Sequence, residues 1–93
     1  MKAMITKIQE GKMSRNQDQI YYRVHLRLED GSHAMTDIVK AYRNYQWWKP
    51  ALEAGVGTWI TGLFMKWKGK VDADSRVSII KPPLPNINQS PLL

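Results

Sequence analysis

Between Ile20 and Glu29 the chain reads IYYRVHLRLE. Ile20, Tyr22, Val24, Leu26 and Leu28 fall on one parity, and Tyr21, Arg23, His25, Arg27 and Glu29 on the other. A period of two is that of a β-strand, whose successive side chains point to opposite faces, so the segment is predicted to be a strand with one apolar and one basic face. Asp30-Gly31 follows with the turn chemistry of a tight hairpin, whose backbone needs positive φ. His33 to Val39 then returns as a third strand, antiparallel to the second.

The same signals organise the rest of the chain. Lys2 to Gln9 (KAMITKIQ) reads as a first strand, and Gly11 to Gln19 as an exposed loop that holds Lys12 and Arg15. Between residues 42 and 55 the alternation stops. AYRNYQWWKPALEAG suits a short helix with Asn44 as its N-cap and Gly55 as its terminator, while Pro50 starts or kinks the regular part. Thr58 to Trp67 (TWITGLFMKW) reads as a fourth strand with a bulge or bend at Gly62. A loop from Lys68 to Asp74 leads to a fifth, Arg76 to Lys81, in which Val77 and Ile79 face opposite to Arg76, Ser78 and Ile80.

Ninety-three residues with 43% hydrophobic side chains fit one domain, expected over 1–81, followed by a proline-rich tail over 82–93. A domain of this size buries only about 60% of its unfolded surface. Cysteine is absent, so neither a disulfide nor a thiolate metal site supplements the core. Prolines at 82, 83, 85 and 91 interrupt the longest uncharged stretch and exclude a membrane-spanning helix there. Met1 to Glu10 has Lys2 and Lys7 and no apolar run of signal-peptide length, which makes the cytoplasm the expected compartment, with no membrane partner. Fourteen Lys and Arg against eight Asp and Glu give a net charge of +6, which favours an anionic partner.

Three strands, a helix and two further strands make an all-β chain in the order of a five-stranded OB-fold barrel, with one short helix between strands 3 and 4. The rival SH3-like barrel places its helical turn between the fourth and fifth strands. The stretch GVGTWITGLFMKWKGKVDADSRVSII resembles the second half of OB-fold single-stranded DNA-binding proteins: a glycine-led strand, a basic loop with an aromatic, and a closing strand after Asp-Ser. The resemblance covers roughly residues 2 to 81. It is to the small basic type carried by phages and mobile genetic elements, including staphylococcal resistance cassettes, and it implies a role in DNA replication or recombination beside a replicative helicase. One departure is the uncharged ending LPNINQSPLL, where housekeeping single-strand binders have an acidic tip that recruits partners.

Single-strand binding without sequence preference needs cations along the phosphates and aromatic platforms under the bases. Tyr21, Arg23, His25 and Arg27 offer both on one strand face, although a solvated face of a half-buried sheet reads the same way. Lys66, Trp67, Lys68 and Lys70 place three cations around one indole; Trp67 as core and lysines kept for solubility are the blander alternative. Tyr42, Arg43, Tyr45, Trp47 and Trp48 form a second aromatic cluster. One of its tryptophans is expected in the core, because adjacent residues point about 100° apart on a helix. Tyr42, Arg43 and Trp59 join the candidate binding set, with Lys12 and Arg15 from the first loop. His25 and His33 lack zinc spacing, and Asp72 and Asp74 suit turn hydrogen bonds better than a magnesium site. With no phosphate loop or nucleophile-base pair, the expectation is a protein that coats single-stranded DNA, with no enzymatic activity and no cofactor. An interaction or assembly module, as homo-oligomer or helicase partner, is the second expectation, and RNA binding the third.

Overall fold

The computed structural model describes residues 1–83. Of the expected tail over 82–93, only Pro82 and Pro83 fall within that range, and the remainder lies outside the described residues. Strands β1 (Lys2–Lys12), β2 (Ile20–Leu28) and β3 (His33–Val39) form an antiparallel meander. The apolar parity of β2 points inward, where Val24 and Leu26 are buried with Ala3 and Ile5 of β1 and Ala34 and Ile38 of β3. β1 runs three residues past Gln9, because Glu10, Gly11 and Lys12 continue the ladder against Tyr22, Tyr21 and Ile20. Loop-like composition there yields to long-range pairing.

The β2–β3 turn also differs from expectation. Gly31 alone takes positive φ, at 87°, and Asp30 does not. The Gly31 amide donates to the Leu28 carbonyl (2.9 Å) and the Leu28 amide to the Ser32 carbonyl (2.8 Å), so three residues, Glu29, Asp30 and Gly31, close the hairpin in place of two. Asp30 instead accepts from the Ser32 amide and hydroxyl, and these hydrogen bonds hold its carboxyl below the ordinary range.

Helix α1 (Tyr45–Ala54) starts after Asn44 and stops at Gly55, whose amide makes the last helical bond to the Ala51 carbonyl (3.0 Å) and whose positive φ of 87° then turns the chain out of the helix. Asn44 occupies the N-cap position without a side-chain cap; its Nδ2 donates to Asp74 Oδ1 (3.1 Å) and ties the helix start to the loop after β6. Pro50 sits inside the helix on its exposed side, where water can satisfy the carbonyl it leaves without a donor. The helix drives Trp48, fully buried, into the core beside Ala51, and the indole Nε1 donates to the Ala73 carbonyl (3.0 Å). Trp47, one residue earlier, is half-buried under the Arg76 guanidinium, 4.6 Å from its ring centre. Tyr45 stacks on Tyr22 at 6.1 Å, and burial, aided by the Glu10 carboxylate, pushes the Tyr22 hydroxyl up.

Seven strands, where five were predicted, are present among the described residues. The expected fourth strand is broken into β4 (Trp59–Thr61) and β5 (Met65–Trp67), the expected loop from Lys68 to Asp74 contains the short strand β6 (Lys70–Val71), and the expected fifth strand is shortened to β7 (Ser78–Lys81). Gly62, at φ 89°, causes the break: the backbone turns there so tightly that a Cβ would stand 2.5 Å from the Arg76 carbonyl oxygen. β6 ends at the Asp72–Ser75 turn, where the Asp74 amide bonds Asp72 Oδ1 and the Phe64 amide bonds Ser75 Oγ. Arg76 and Val77 precede β7, and all four β7 residues are exposed, Ile79 and Ile80 at 40% and 46%, so this strand contributes no buried side chain to the core.

The strand order is β5-β6-β3-β2-β1-β4-β7, with β3–β6 parallel and the other pairs antiparallel. This order forces the sheet to curl. Thr61 and Met65 close and open strands five positions apart, about 24 Å on a flat sheet, while the chain between them spans at most about 15 Å. α1 closes over the curled sheet with Trp48 in its core. Among the described residues no helix is long and apolar enough to cross a membrane.

Candidate nucleic-acid interface

The residue pairing across the sheet assembles its outer face into rows. Trp67 of β5 lies opposite Lys70 of β6, Lys70 beside Met35 of β3, Met35 opposite His25 of β2, and His25 opposite Lys7 of β1. A second row runs His33, Arg27, Met4, Trp59 and Lys81 from β3 through β2, β1 and β4 to β7. Between Trp67 and Trp59 the outer surface thus alternates cationic, aromatic and thioether side chains.

Local irregularities set this arrangement. The register shift between Met65 and Trp67 puts Trp67 opposite Lys70, where Lys66 would otherwise stand. The hairpin then closes through Lys68 and Gly69, with Gly69 at φ 82° and its carbonyl accepting from the Met35 amide (3.0 Å), which fixes the loop to β3. Trp67 is 60% exposed, with Lys66 Nζ 5.2 Å from its ring centre. In β1 a bulge between Ile5 and Lys7 makes Thr6 the extra residue, its hydroxyl donating to the His25 carbonyl (3.2 Å), and moves Lys7, Gln9 and Gly11 onto the outer face. At Gly11 the Tyr21 ring lies directly over the backbone, 2.7 Å from where a Cβ would be, and the Arg23 guanidinium stands 5.8 Å from the centre of that ring.

The predicted site residues divide by place. Tyr21, His25, Arg27, Trp59, Trp67 and Lys70 share the outer face, with exposed Lys66 and Lys68 at its β5–β6 edge. Arg23 is there too, but its guanidinium is engaged: Nε reaches Asp37 Oδ1 at 2.9 Å and Nη2 reaches Oδ2 at 3.1 Å. The Asp37 carboxylate raises the Arg23 pKa and cancels its charge toward a phosphate. His25 Nε2 lies 2.7 Å from Gln9 Oε1. Lys12 pairs with Ile20 and so falls on the opposite side of the sheet from Tyr21. Arg15 lies exposed in the β1–β2 loop, and Tyr42 and Arg43 in the connection before α1, all outside the cross-strand rows. The face also holds residues absent from the sequence-based set: Lys7, Met4, Met35, Gln9, His33 and Lys81. Lys81 and His33 were legible only as residues of predicted strands. Lys7 was not, because the parity set by Ala3 and Ile5 points it inward until the bulge intervenes.

No protein-family model, curated protein or solved structure matches this chain.

Proposed function

We propose that this protein is a non-enzymatic, largely sequence-independent single-stranded DNA-binding protein of replication or recombination, built as an OB barrel. On this reading β4 and β5 are halves of one strand bent at Gly62, and β6 and β7 halves of another. That leaves five strands around the core, with the helix after the third. The antiparallel β1–β4 pair and the parallel β3–β6 pair set those last two strands between β3 and β1, as a closed barrel requires. The face of the second and third strands, with the loop between the fourth and fifth, is the surface on which OB folds bind oligonucleotides.

The observation that carries the proposal is the row Trp67, Lys70, Met35, His25 and Lys7, an exposed indole and cations in register across five strands. Rings accept any base and lysines any phosphate, so the row suits an unpaired polynucleotide without sequence preference. Quenching of tryptophan fluorescence by oligonucleotides at several salt concentrations tests it. Single-stranded DNA is expected to bind with a log-log salt slope of about 0.7 per neutralised phosphate, well ahead of duplex DNA. Equal affinity for the duplex overturns the reading, and preference for RNA moves it to RNA. A second reading, an assembly module, is favoured by the exposed Ile79 and Ile80 on strand β7. A stable oligomer indifferent to either nucleic acid would support it.

A further inference from the structure

At the end of the second row the outer face is hollowed into a cleft of about 200 Å³ lined by Met4, Val56, Gly57, Trp59, Lys81 and Pro83. Its geometry is built into the backbone. Gly57 has φ 94°, and a Cβ there would stand 3.2 Å from the Pro83 Cβ, so only glycine lets that wall close. The Gly57 amide is held by the Ile5 carbonyl at 2.8 Å, which anchors the wall to β1. Trp59 stands between Met4 and Lys81 by strand register, and Arg27 lies opposite Met4 on the other side. The cleft is therefore an apolar slot with an indole wall, flanked by a cation on each side and continuous with the proposed binding face.

We infer that this cleft seats one base of the bound strand, with Trp59 as its stacking wall and Lys81 and Arg27 on the adjoining phosphates. The inference rests on the single-strand reading above and adds to it a second stacking station, on β4, to that of Trp67 on β5. An apolar slot open to one planar ring, with cations and no carboxylate on its walls, fits a nucleotide better than a charged peptide. Trp59 and Trp67 lie on separate strands, β4 and β5, on either side of the bend at Gly62, so an oligomer must be long enough to span both before it gains the second station.

The test uses fluorescence anisotropy of labelled oligothymidylates of increasing length on the full chain. Wild type is expected to gain affinity in a step once the oligomer is long enough to reach the cleft. Trp59→Leu is expected to lose that step, about five- to about 150-fold in Kd for long oligomers, while short ones bind as to wild type. Val56→Glu, at an exposed position, is expected to reproduce the loss with the fold intact, which covers the case in which Trp59→Leu loses stability. An oligothymidylate carrying 5-iodouracil is expected to photocrosslink to Trp59 as well as to Trp67. Unchanged length dependence in both variants, with crosslinking at Trp67 alone, overturns the cleft and leaves the single-strand reading standing. No binding by wild type at any length overturns both. A proline-rich peptide that binds the cleft with no loss of oligonucleotide binding assigns it to a protein partner and overturns the inference.

Discussion

Gly62 and Trp67 show how much a single position decides. At φ 89°, and with the Arg76 carbonyl 2.5 Å from where a Cβ would sit, Gly62 tolerates no side chain. Gly62→Ala is expected to lower stability by about 1–3 kcal/mol for the backbone conformation alone, more with the clash, as a reduced urea midpoint. Trp67 is the converse case, exposed and free of the core, so Trp67→Ala is expected to weaken single-strand binding by about 1–3 kcal/mol with an unchanged Tm. A fall in Tm would make the indole structural. Asp30 carries a pH dependence of defined sign. Its folded pKa is lowered by the Ser32 hydrogen bonds, so their contribution is present above the ordinary aspartate range and is lost as pH falls through the lowered value. The Ser32 amide is expected to titrate below the ordinary aspartate pKa of about 3.9 in an NMR pH series, and a midpoint at or above it would contradict the assignment.

Among elements, β3 moderates the charge of β2. Asp37 faces Arg23 across the pair and takes a cation out of a face that is otherwise positive. Asp37→Asn is expected to release Arg23, tightening single-strand binding at low salt and steepening the log-log salt slope by about 0.7, the increment for one further neutralised phosphate. Replacing Lys66, Lys68 and Lys70 together is expected to flatten the slope, by up to about 2 if all three meet phosphates. The two measurements share one titration. Opposite signs would place both β2 and the β5–β6 hairpin on the strand's path, and no change in either would remove this face from binding.

For the whole molecule the controlling feature is one aromatic plug in a small core. A chain of this length has about 5–14 kcal/mol of total stability, and Trp48→Ala is expected to remove about 3–5 kcal/mol of it. Trp48 belongs to one buried cluster with residues of β1, β2, β3 and β4, and its indole anchors the loop at Ala73. The loss is therefore expected in one cooperative urea transition, and separate transitions for helix and sheet would show that the curled sheet stands without Trp48.

Strand β2, its inward parity, strand β3 and a helix ending at Gly55 were legible in the sequence, because alternation and a glycine stop are local consequences of side-chain direction and backbone freedom. Gly62 was legible as a bend but not as a break, since the closeness of the Arg76 carbonyl comes from a segment fourteen residues on. The candidate site divides along the same line. Tyr21, His25, Arg27 and Trp67 announced themselves by type and spacing, whereas three facts depended on pairing between strands: Lys7 joins them, Lys12 does not, and Asp37 silences Arg23. A bulge or a one-residue register shift moves every following side chain to the other face, and only the long-range ladder fixes where that happens. The sequence determined which side chains are cationic or aromatic and which parity of a strand they occupy, and the fold decided which of them stand together.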